Sequence, residues 1–348
     1  MNNKTHAKIV DIAGFLPESV LTNEELAAIY PEWSAEKIYD KTGIKERHIA
    51  SAGQTATDLA YEASLKLFSR NNVKPDDVDF IILCTQSADY ILPTSACLLQ
   101  NRLGLSRNSG ALDINLGCSG YVYGLSLAKG LIETGSAKCV LLLTADTYSK
   151  SIHPMDKSVR TLFGDGATAT AIMGIESTRP FIGPFVFGTD GSGGENLIIE
   201  AGLYRKPKTL ETALEKTDSS GNIRTVENIY MNGSEIMAFT LKEVPKAVEN
   251  LFEKSGNIKN NVDFFILHQA NKFMLEALRK KLEIPKDQCP VFLENCGNTV
   301  SSSIPFVLEN MLNKGMFDQE KKLMLIGFGV GYSWAGCFLD FKIGNKNE

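Results

Sequence analysis

The sequence has few of the features that mark several common classes of protein. Its longest apolar runs, such as Cys139–Leu143 and Phe264–Leu267, fall far short of the roughly 18 residues that a membrane-spanning helix needs. Basic residues are not in excess, because 36 Lys and Arg stand against 41 Asp and Glu, for a net charge of −5. A nucleic-acid-binding protein normally shows a concentrated basic face. We therefore expect neither membrane insertion nor nucleic-acid binding.

The seven cysteines form no framework that can be identified from their spacing. Their number is odd, and no two are arranged as CxxC, the spacing typical of zinc and thioredoxin-like sites. The segment Met1–Lys8 is polar and lacks the apolar stretch of a signal peptide. We therefore expect a cytoplasmic protein with reduced thiols, no disulfides and no metal site.

The chain of 348 residues has the pattern of an α/β protein. Short β-branched and apolar runs alternate with amphipathic segments such as Thr57–Phe68, which indicates parallel sheets in a layered fold. Glycines and prolines near residue 178 suggest two halves, 1–178 and 179–348. Residues 192–228 are rich in Gly, Lys, Thr and Asn, and we interpret them as an inserted loop or cap on the second half. Strands are predicted at Asp79–Cys84, Ala111–Ile114, Cys139–Thr144, Phe264–Leu267 and Leu323–Ile326.

One cysteine lies between a predicted strand and a predicted helix. Cys118 occupies the small-residue turn in the sequence LDINLGCSGYVYGL, residues 112–125. At a helix N-terminus the free N–H groups and the helix dipole stabilise a thiolate and lower the thiol pKa. The position therefore favours a nucleophile, and the alternative is a buried structural thiol.

A histidine ends another predicted strand. In the sequence FFILHQANK, residues 264–272, His268 is the first polar residue after the apolar run. Ligands of parallel α/β sheets bind at the carboxyl ends of strands, where this imidazole would lie. A functional histidine is thus predicted, although a hydrogen-bonded structural histidine fits the same pattern.

Three glycine-containing turns complete the candidate site. Asn298 closes the turn ENCGN and could be a fixed N–H donor or only a turn former. The run GFGVG at 327–331 resembles a dinucleotide loop, but the third glycine of that motif would fall on Tyr332, and a strand follows at Trp334–Phe341. A hairpin that presents backbone N–H groups to a reacting oxygen fits better. The turn FGDGA at 163–167 is interpreted as structural.

Taken in combination, these segments resemble the β-ketoacyl-acyl-carrier-protein synthase III family of the thiolase superfamily. His268 follows Cys118 after 150 residues, and Asn298 follows after 30 more. The resemblance extends from about residue 8 to the end of the sequence. It implies the thiolase fold, two similar α/β halves in five layers (α-β-α-β-α), and a homodimer. The segments that carry it are TGIKERHIA (42–50), PTSAC (93–97), FGDGA (163–167), LHQAN (267–271) and ENCGN (294–298).

The resemblance also implies a reaction. An acyl thioester of CoA or of a carrier protein would condense with malonyl-acyl carrier protein, with loss of carbon dioxide, in fatty acid or related acyl or polyketide biosynthesis. Cys118 would carry the acyl group, and the backbone N–H groups of Cys118 and Val330 would bind its oxyanion. His268 and Asn298 would donate hydrogen bonds to the enolate. The resemblance implies a reaction that needs no metal and no redox cofactor. The CoA or carrier-protein thioesters are substrates of this reaction.

Some positions depart from the family pattern. The tryptophan that usually stacks on the CoA adenine is replaced near Lys37, with Trp33 four residues upstream. Lys41 and Lys157 match arginines that contact the CoA phosphates. The compact ammonium group of lysine therefore replaces the planar guanidinium group that can bind a phosphate through two hydrogen bonds. Ser234 matches an asparagine that helps to hold the pantetheine arm. These changes weaken the expectation of a free acetyl-CoA primer.

Three further positions are expected at the substrate by resemblance. Asn271 and Phe328 would line the site, and Leu92 matches the residue that the partner subunit inserts at the end of the acyl pocket. The family often has an aromatic residue there, so Leu92 would leave room for a longer or branched primer. Carrier proteins are acidic, and Lys272, Arg279 and Lys280 are candidates for docking them, although a solvated helix face is the alternative.

Other functions fit parts of the pattern. Relatives with the same nucleophile transfer the acyl group to an alcohol or amine of a small molecule, which the altered CoA contacts would permit. A papain-like hydrolase shares the order Cys, His, Asn, but the α/β pattern opposes it. A non-catalytic partner subunit would usually lack the nucleophile that is present here.

Overall fold

The computed structural model describes residues 3–343, in which strands and helices alternate over most of the chain. The strands are β1 Lys4–Phe15, β2 Val20–Thr22, β3 Glu46–His48, β4 Phe80–Cys84, β5 Gly110–Ile114, β6 Cys139–Asp146, β7 Gly166–Ser177, β8 Ile182–Thr189, β9 Leu197–Ile198, β10 Lys216–Thr217, β11 Ile223–Arg224, β12 Tyr230–Met231, β13 Phe264–Leu267, β14 Lys321–Gly329 and β15 Ser333–Phe341. The helices are α1 Asn23–Ile29, α2 Ala35–Thr42, α3 Ala56–Ser69, α4 Ser95–Arg102, α5 Gly120–Glu133, α6 Lys157–Arg160, α7 Gly233–Ser255, α8 Lys272–Lys281 and α9 Ser303–Asn313.

Two sheets form the framework of the molecule. The first has the strand order β1-β7-β6-β4-β5, and the second has the order β13-β14-β15-β8. All strands of the first sheet lie before residue 178, and all strands of the second lie after residue 181. None of the helices within residues 3–343 is long and apolar enough to cross a membrane.

The expectation of parallel sheets is only partly right. The pairs β4–β5, β4–β6 and β13–β14 are parallel, whereas β1–β7, β6–β7, β14–β15 and β15–β8 are antiparallel. The physical reason is clear for β14 and β15, because a three-residue turn joins them and a parallel pair would need a much longer crossover. Each sheet is therefore mixed.

Helices cover both faces of each sheet, which gives five layers. Helices α3 and α4 pack on the outer face of the first sheet, and α7 packs on the outer face of the second, with α8 against it. Helices α5 and α9 lie between the sheets in one apolar cluster that contains residues of both. The central helix α5 can pack closely on strand β6 because Gly124 has no side chain. A Cβ at this position would be 2.5 Å from the Leu142 side chain. The layers and the α/β class agree with the expected thiolase fold.

The predicted insertion at 192–228 contains only short elements. A 3-10 helix at Gly191–Asn196 leads into β9, which pairs with β12, and β10 pairs with β11 in a small hairpin. This region is folded against α6, because the Lys157 ammonium donates to the Ser220 carbonyl at 2.9 Å. It therefore acts as a cover on the first half as well as on the second.

Candidate active site

Cys118 lies at the N-terminal end of the central helix α5. The turn from β5 reaches Ser119, the residue before the helix, and leaves the Cys118 side chain only 5% exposed. The turn needs small residues, because a Cβ on Gly120 would be 2.2 Å from the Cys84 sulfur. The predicted position between strand and helix is thus confirmed.

The glycine hairpin packs directly on this cysteine. A Cβ on Gly329 would lie 2.9 Å from the Cys118 sulfur, and one on Gly327 would lie 2.7 Å from the Cys118 carbonyl oxygen. The glycines of β14 therefore let the hairpin come close enough for the Val330 N–H to interact with the thiol. As predicted, these residues form a β-hairpin and no dinucleotide loop.

The expected lowering of the thiol pKa is wrong. Burial, with a smaller effect from the nearby Asp146 carboxyl, raises the pKa of Cys118 to about 12. The backbone N–H groups of Cys118 and Val330 act in the opposite direction but do not outweigh the loss of solvation. The thiol is therefore neutral at pH 7, and it faces two N–H donors of the kind that an oxyanion hole needs.

His268 follows β13 and is buried, with 2% of its surface exposed. Burial lowers the pKa of its imidazole to about 3, so the ring is neutral at pH 7. Nδ1 lies 2.7 Å from the Ser303 Oγ, and the Phe328 ring packs edge-on against the imidazole, with centroids 5.4 Å apart. The ring is therefore held on two sides.

Asn298 is held by Leu162 and by Gly164 of the turn FGDGA. Its backbone N–H donates to the Leu162 carbonyl at 2.9 Å, and its backbone carbonyl accepts the Gly164 N–H at 3.1 Å. The side-chain Oδ1 accepts the Val300 N–H at 2.9 Å, so that the Nδ2 group is the part of the amide left to act as a donor. The interpretation of FGDGA as a structural turn fits this arrangement.

One cavity brings the three candidate residues together. Cys118, His268 and Asn298 line a space of about 70 Å³, and the predicted residues Asn271 and Phe328 line it as well. Leu197 also borders a second cavity of about 270 Å³, which contains Val330, Tyr148 and Ile229 in its wall. The second cavity is connected to the nucleophile through Val330, whose N–H interacts with the Cys118 thiol, and its volume is large enough for an acyl group.

Other predicted substrate residues do not line this cavity. Lys157 is 8% exposed, and its ammonium is bound by the Glu32 carboxylate at 3.0 Å and by the Ser220 carbonyl. Its role as a phosphate contact stays a prediction, and in this structure the insertion covers the ammonium through Ser220. Lys41 lies over the Trp33 ring, Ser234 donates to Asn232, and Leu92 is 77% exposed on the surface.

The predicted docking residues differ in their surroundings. Lys272 is exposed beside the cavity-lining Asn271, and its ammonium lies 5.5 Å from the centre of the Tyr39 ring. Lys280 is also exposed. Arg279, in contrast, is paired with Glu276 at 2.9 Å and donates to the Ile284 carbonyl, so its charge already has partners within the chain.

Known proteins share both the sequence and this structure. Residues 112–191 match the family described as 3-oxoacyl-[acyl-carrier-protein] synthase III, and residues 252–341 match its C-terminal part. A β-ketoacyl-[acyl-carrier-protein] synthase III of Caldanaerobacter subterraneus is 38% identical over 97% of this chain and 99% of its own length. The chain belongs to the β-ketoacyl-acyl-carrier-protein synthase III family.

Solved structures of the synthase III family superpose closely on the chain. A 3-oxoacyl-(acyl-carrier-protein) synthase III determined at 2.1 Å is 62% identical, with a TM-score of 0.96, over 97% of this chain and all of that one. A Burkholderia xenovorans 3-oxoacyl-(acyl-carrier protein) synthase is 36% identical, with a TM-score of 0.90, over 99% of this chain and 96% of that one. The thiolase fold and membership of an enzyme family follow.

The sequence prediction missed three consecutive serines that form hydrogen bonds around this candidate site. Ser301 donates to the Asp146 carboxylate, Ser302 lies 2.8 Å from the Thr144 hydroxyl, and Ser303 contacts His268. Burial raises the pKa of Asp146 to about 7. A signal was present, since a run of small polar residues directly follows Asn298 and precedes an apolar helix.

Proposed function

We propose that the chain catalyses a decarboxylative Claisen condensation between an acyl-cysteine at Cys118 and malonyl-acyl carrier protein. One observation carries the proposal: a buried thiol, a neutral imidazole and an oriented amide share one cavity under the glycine hairpin. No charged side chain is among the residues that line this cavity. The site is suited to stabilising an oxyanion and an enolate with neutral donors.

In the first half-reaction the Cys118 sulfur attacks the carbonyl carbon of the acyl thioester. A carbon–sulfur bond forms to Cys118, the bond to the donor thiol breaks, and the thiol proton ends on the departing sulfur. The negative charge that develops on the carbonyl oxygen is stabilised by the N–H groups of Cys118 and Val330. The acyl chain extends into the adjoining cavity beside Tyr148 and Ile229.

In the second half-reaction the malonyl group loses carbon dioxide and becomes an enolate. His268 and the Asn298 Nδ2 group donate hydrogen bonds to the enolate oxygen, and its carbon attacks the acyl-cysteine carbonyl. The Cys118 sulfur leaves as a thiolate and takes a proton from solvent, which restores the thiol. A neutral imidazole suits this role because an imidazolium could protonate the carbanion before it reacts.

Carrier-protein docking and dimer formation complete the proposal. Lys272 and Lys280 would meet the acidic carrier protein near the cavity. The exposed apolar residues Tyr90, Ile91 and Leu92 would pack against the partner subunit of a homodimer, with Leu92 directed towards its acyl pocket. The seven thiols, all free, are compatible with a cytoplasmic enzyme.

A different acyl donor is favoured by one specific observation. The Lys157 ammonium is paired with the Glu32 carboxylate and donates to the Ser220 carbonyl, so this cation is not free to bind a CoA phosphate. The acyl donor would then be carried by a protein, and transfer of the acyl group to the alcohol or amine of a small molecule is the second candidate function. Both alternatives retain the acyl-cysteine at Cys118.

Intact-mass measurement separates these possibilities. The protein is incubated with a panel of acyl-CoAs and acyl carrier proteins, alongside a Cys118→Ala variant. We expect an acyl adduct on the native chain and none on the variant, followed by release of carbon dioxide and a β-ketoacyl product on addition of malonyl carrier protein. Absence of an adduct with every donor would refute the synthase function, and turnover only with an alcohol or amine would favour the transferase.

A further inference from the structure

The inner nitrogen of His268 is hydrogen-bonded to a serine rather than to a carboxylate. Ser303, the first residue of α9, is buried, and its Oγ lies 2.7 Å from the imidazole Nδ1. Within residues 3–343, neither an Asp nor a Glu side chain hydrogen-bonds to this ring. In Ser-His-Asp triads a carboxylate holds the proton on Nδ1 and leaves Nε2 as a base. A hydroxyl can instead donate to Nδ1 and give the opposite tautomer.

A second contact decides the direction of this hydrogen bond. The Gln269 backbone N–H points at the same Ser303 Oγ, at 3.4 Å, so the oxygen already accepts one proton. The hydroxyl hydrogen then needs an acceptor, and Nδ1 is the acceptor that the described part of the chain offers within reach. With the proton on Nδ1, the oxygen would receive two donors and the hydroxyl hydrogen would be buried without an acceptor.

We propose that Ser303 is a positioning residue that donates to Nδ1 and thereby keeps the proton of His268 on Nε2. The Phe328 ring, nearly perpendicular to the imidazole, limits rotation of the ring about the same position. Nε2 forms no hydrogen bond with the described residues, and His268 lines the cavity that contains Cys118. The histidine is thus set as a hydrogen-bond donor and cannot take the thiol proton in this tautomer.

This inference rests on the proposed function for its catalytic meaning. An Nε2–H donor is what enolate stabilisation needs, whereas activation of the thiol by a base would need an unprotonated Nε2. Ser303 would therefore contribute to the decarboxylation step and little to acylation. Ser302, its neighbour, hydrogen-bonds to Thr144 and not to His268, and it provides a matched control.

The tautomer can be read directly by nitrogen-15 NMR of the full-length protein labelled at histidine. The His268 resonances are assigned by their loss in a His268→Gln variant. At pH 7 we expect the Nε2–H pattern in the native chain and in Ser303→Thr, which keeps the hydroxyl. We expect a mixed or Nδ1–H pattern in Ser303→Ala. An Nδ1–H tautomer in the native chain, or no change in Ser303→Ala, would overturn the proposal.

Rates provide a second readout. In Ser303→Ala we expect malonyl decarboxylation to fall about tenfold, as for one lost hydrogen bond, while acylation by a small acyl thioester stays within about threefold. Ser303→Thr should recover most of the loss, and Ser302→Ala should not show the selective fall. Equal loss of both steps in Ser303→Ala would contradict the positioning role. A native chain that condenses nothing would refute the proposed function, while the NMR result would still decide the role of Ser303.

Discussion

Burial moves the Cys118 thiol and the His268 imidazole towards their neutral forms. The thiol pKa rises to about 12 and the imidazole pKa falls to about 3, so neither group is charged at pH 7. A cysteine hydrolase of the papain type needs a thiolate paired with an imidazolium, and this site does not supply that pair. The site is therefore better suited to donating hydrogen bonds than to holding a thiolate–imidazolium ion pair before substrate binds.

The imidazole pKa predicts a pH dependence of stability. Between pH 3 and 6.5 the unfolded chain binds a proton at this histidine and the folded chain does not, so the folded state gains stability as the pH rises towards 6.5. In a His268→Gln variant this contribution is absent. The difference in unfolding free energy between the native chain and the variant should grow by at most about 1.4 kcal/mol per pH unit and become constant above pH 6.5. Urea unfolding at pH 5.0, 5.75, 6.5 and 7.5 measures it, and a difference independent of pH would contradict the assignment.

At the scale of elements, two turns from different halves of the chain hold the site together. Phe163 and Asn298 form an isolated bridge, and a Cβ on Gly164 would lie only 2.0 Å from the Cys296 carbonyl oxygen. The loop before β7 can therefore pack against the turn before α9 only if residue 164 is glycine. The orientation of the Asn298 amide depends on a residue more than a hundred positions away.

A Gly164→Ala substitution tests this dependence. The added methyl group would displace the Asn298 turn, so we expect decarboxylation to fall at least tenfold and the protein to lose about 1–3 kcal/mol of stability. Gly130→Ala on α5 is the control, because a Cβ there meets nothing within 4 Å and should leave stability unchanged or up to about 1 kcal/mol higher. Denaturant unfolding and carbon dioxide release measure the two effects. A Gly164→Ala variant with native rates would contradict the role of the bridge.

The sequence could predict the elements that carry their own periodicity. The strand Phe264–Leu267 has the predicted bounds, and the helix predicted at 57–68 extends over Ala56–Ser69. The pattern does not predict strands β1 and β7. In β7 the residues are mostly small or β-branched and form no distinctive apolar run. The direction of strand pairing and the burial of Lys157 depend on partners that are distant in the chain. Local pattern alone does not contain that information.

At the scale of the whole molecule, the net charge of −5 coexists with a local basic surface. Lys45 and Lys272 both lie near the Tyr39 ring, 5.9 and 5.5 Å from its centre, on the side of the molecule that includes Asn271 at the cavity. Lys45 is paired with Glu294, whereas no carboxylate lies within 4 Å of the Lys272 ammonium in the part of the chain that the structure describes. Lys272 is therefore the stronger candidate for contact with an acidic carrier protein.

Charge reversal at Lys272 tests the docking surface. Lys272→Glu should raise the KM for malonyl carrier protein about two- to fivefold, as expected for one exposed charge, and the effect should shrink at high salt. Acylation by a small thioester without a carrier protein should not change. Lys74→Glu, at an exposed position before β4, is the control. Equal KM values for the two variants would place the docking surface elsewhere.

The central claim is that Cys118 carries the acyl group while His268 and Asn298 stabilise the enolate. Its most direct test measures acylation and malonyl decarboxylation separately in His268→Ala and Asn298→Ala, by intact mass and by release of labelled carbon dioxide. We predict that each variant still forms the acyl-cysteine at a rate within about tenfold of the native chain, while decarboxylation falls about 100-fold or more. Loss of both steps to the same extent would contradict this division of roles.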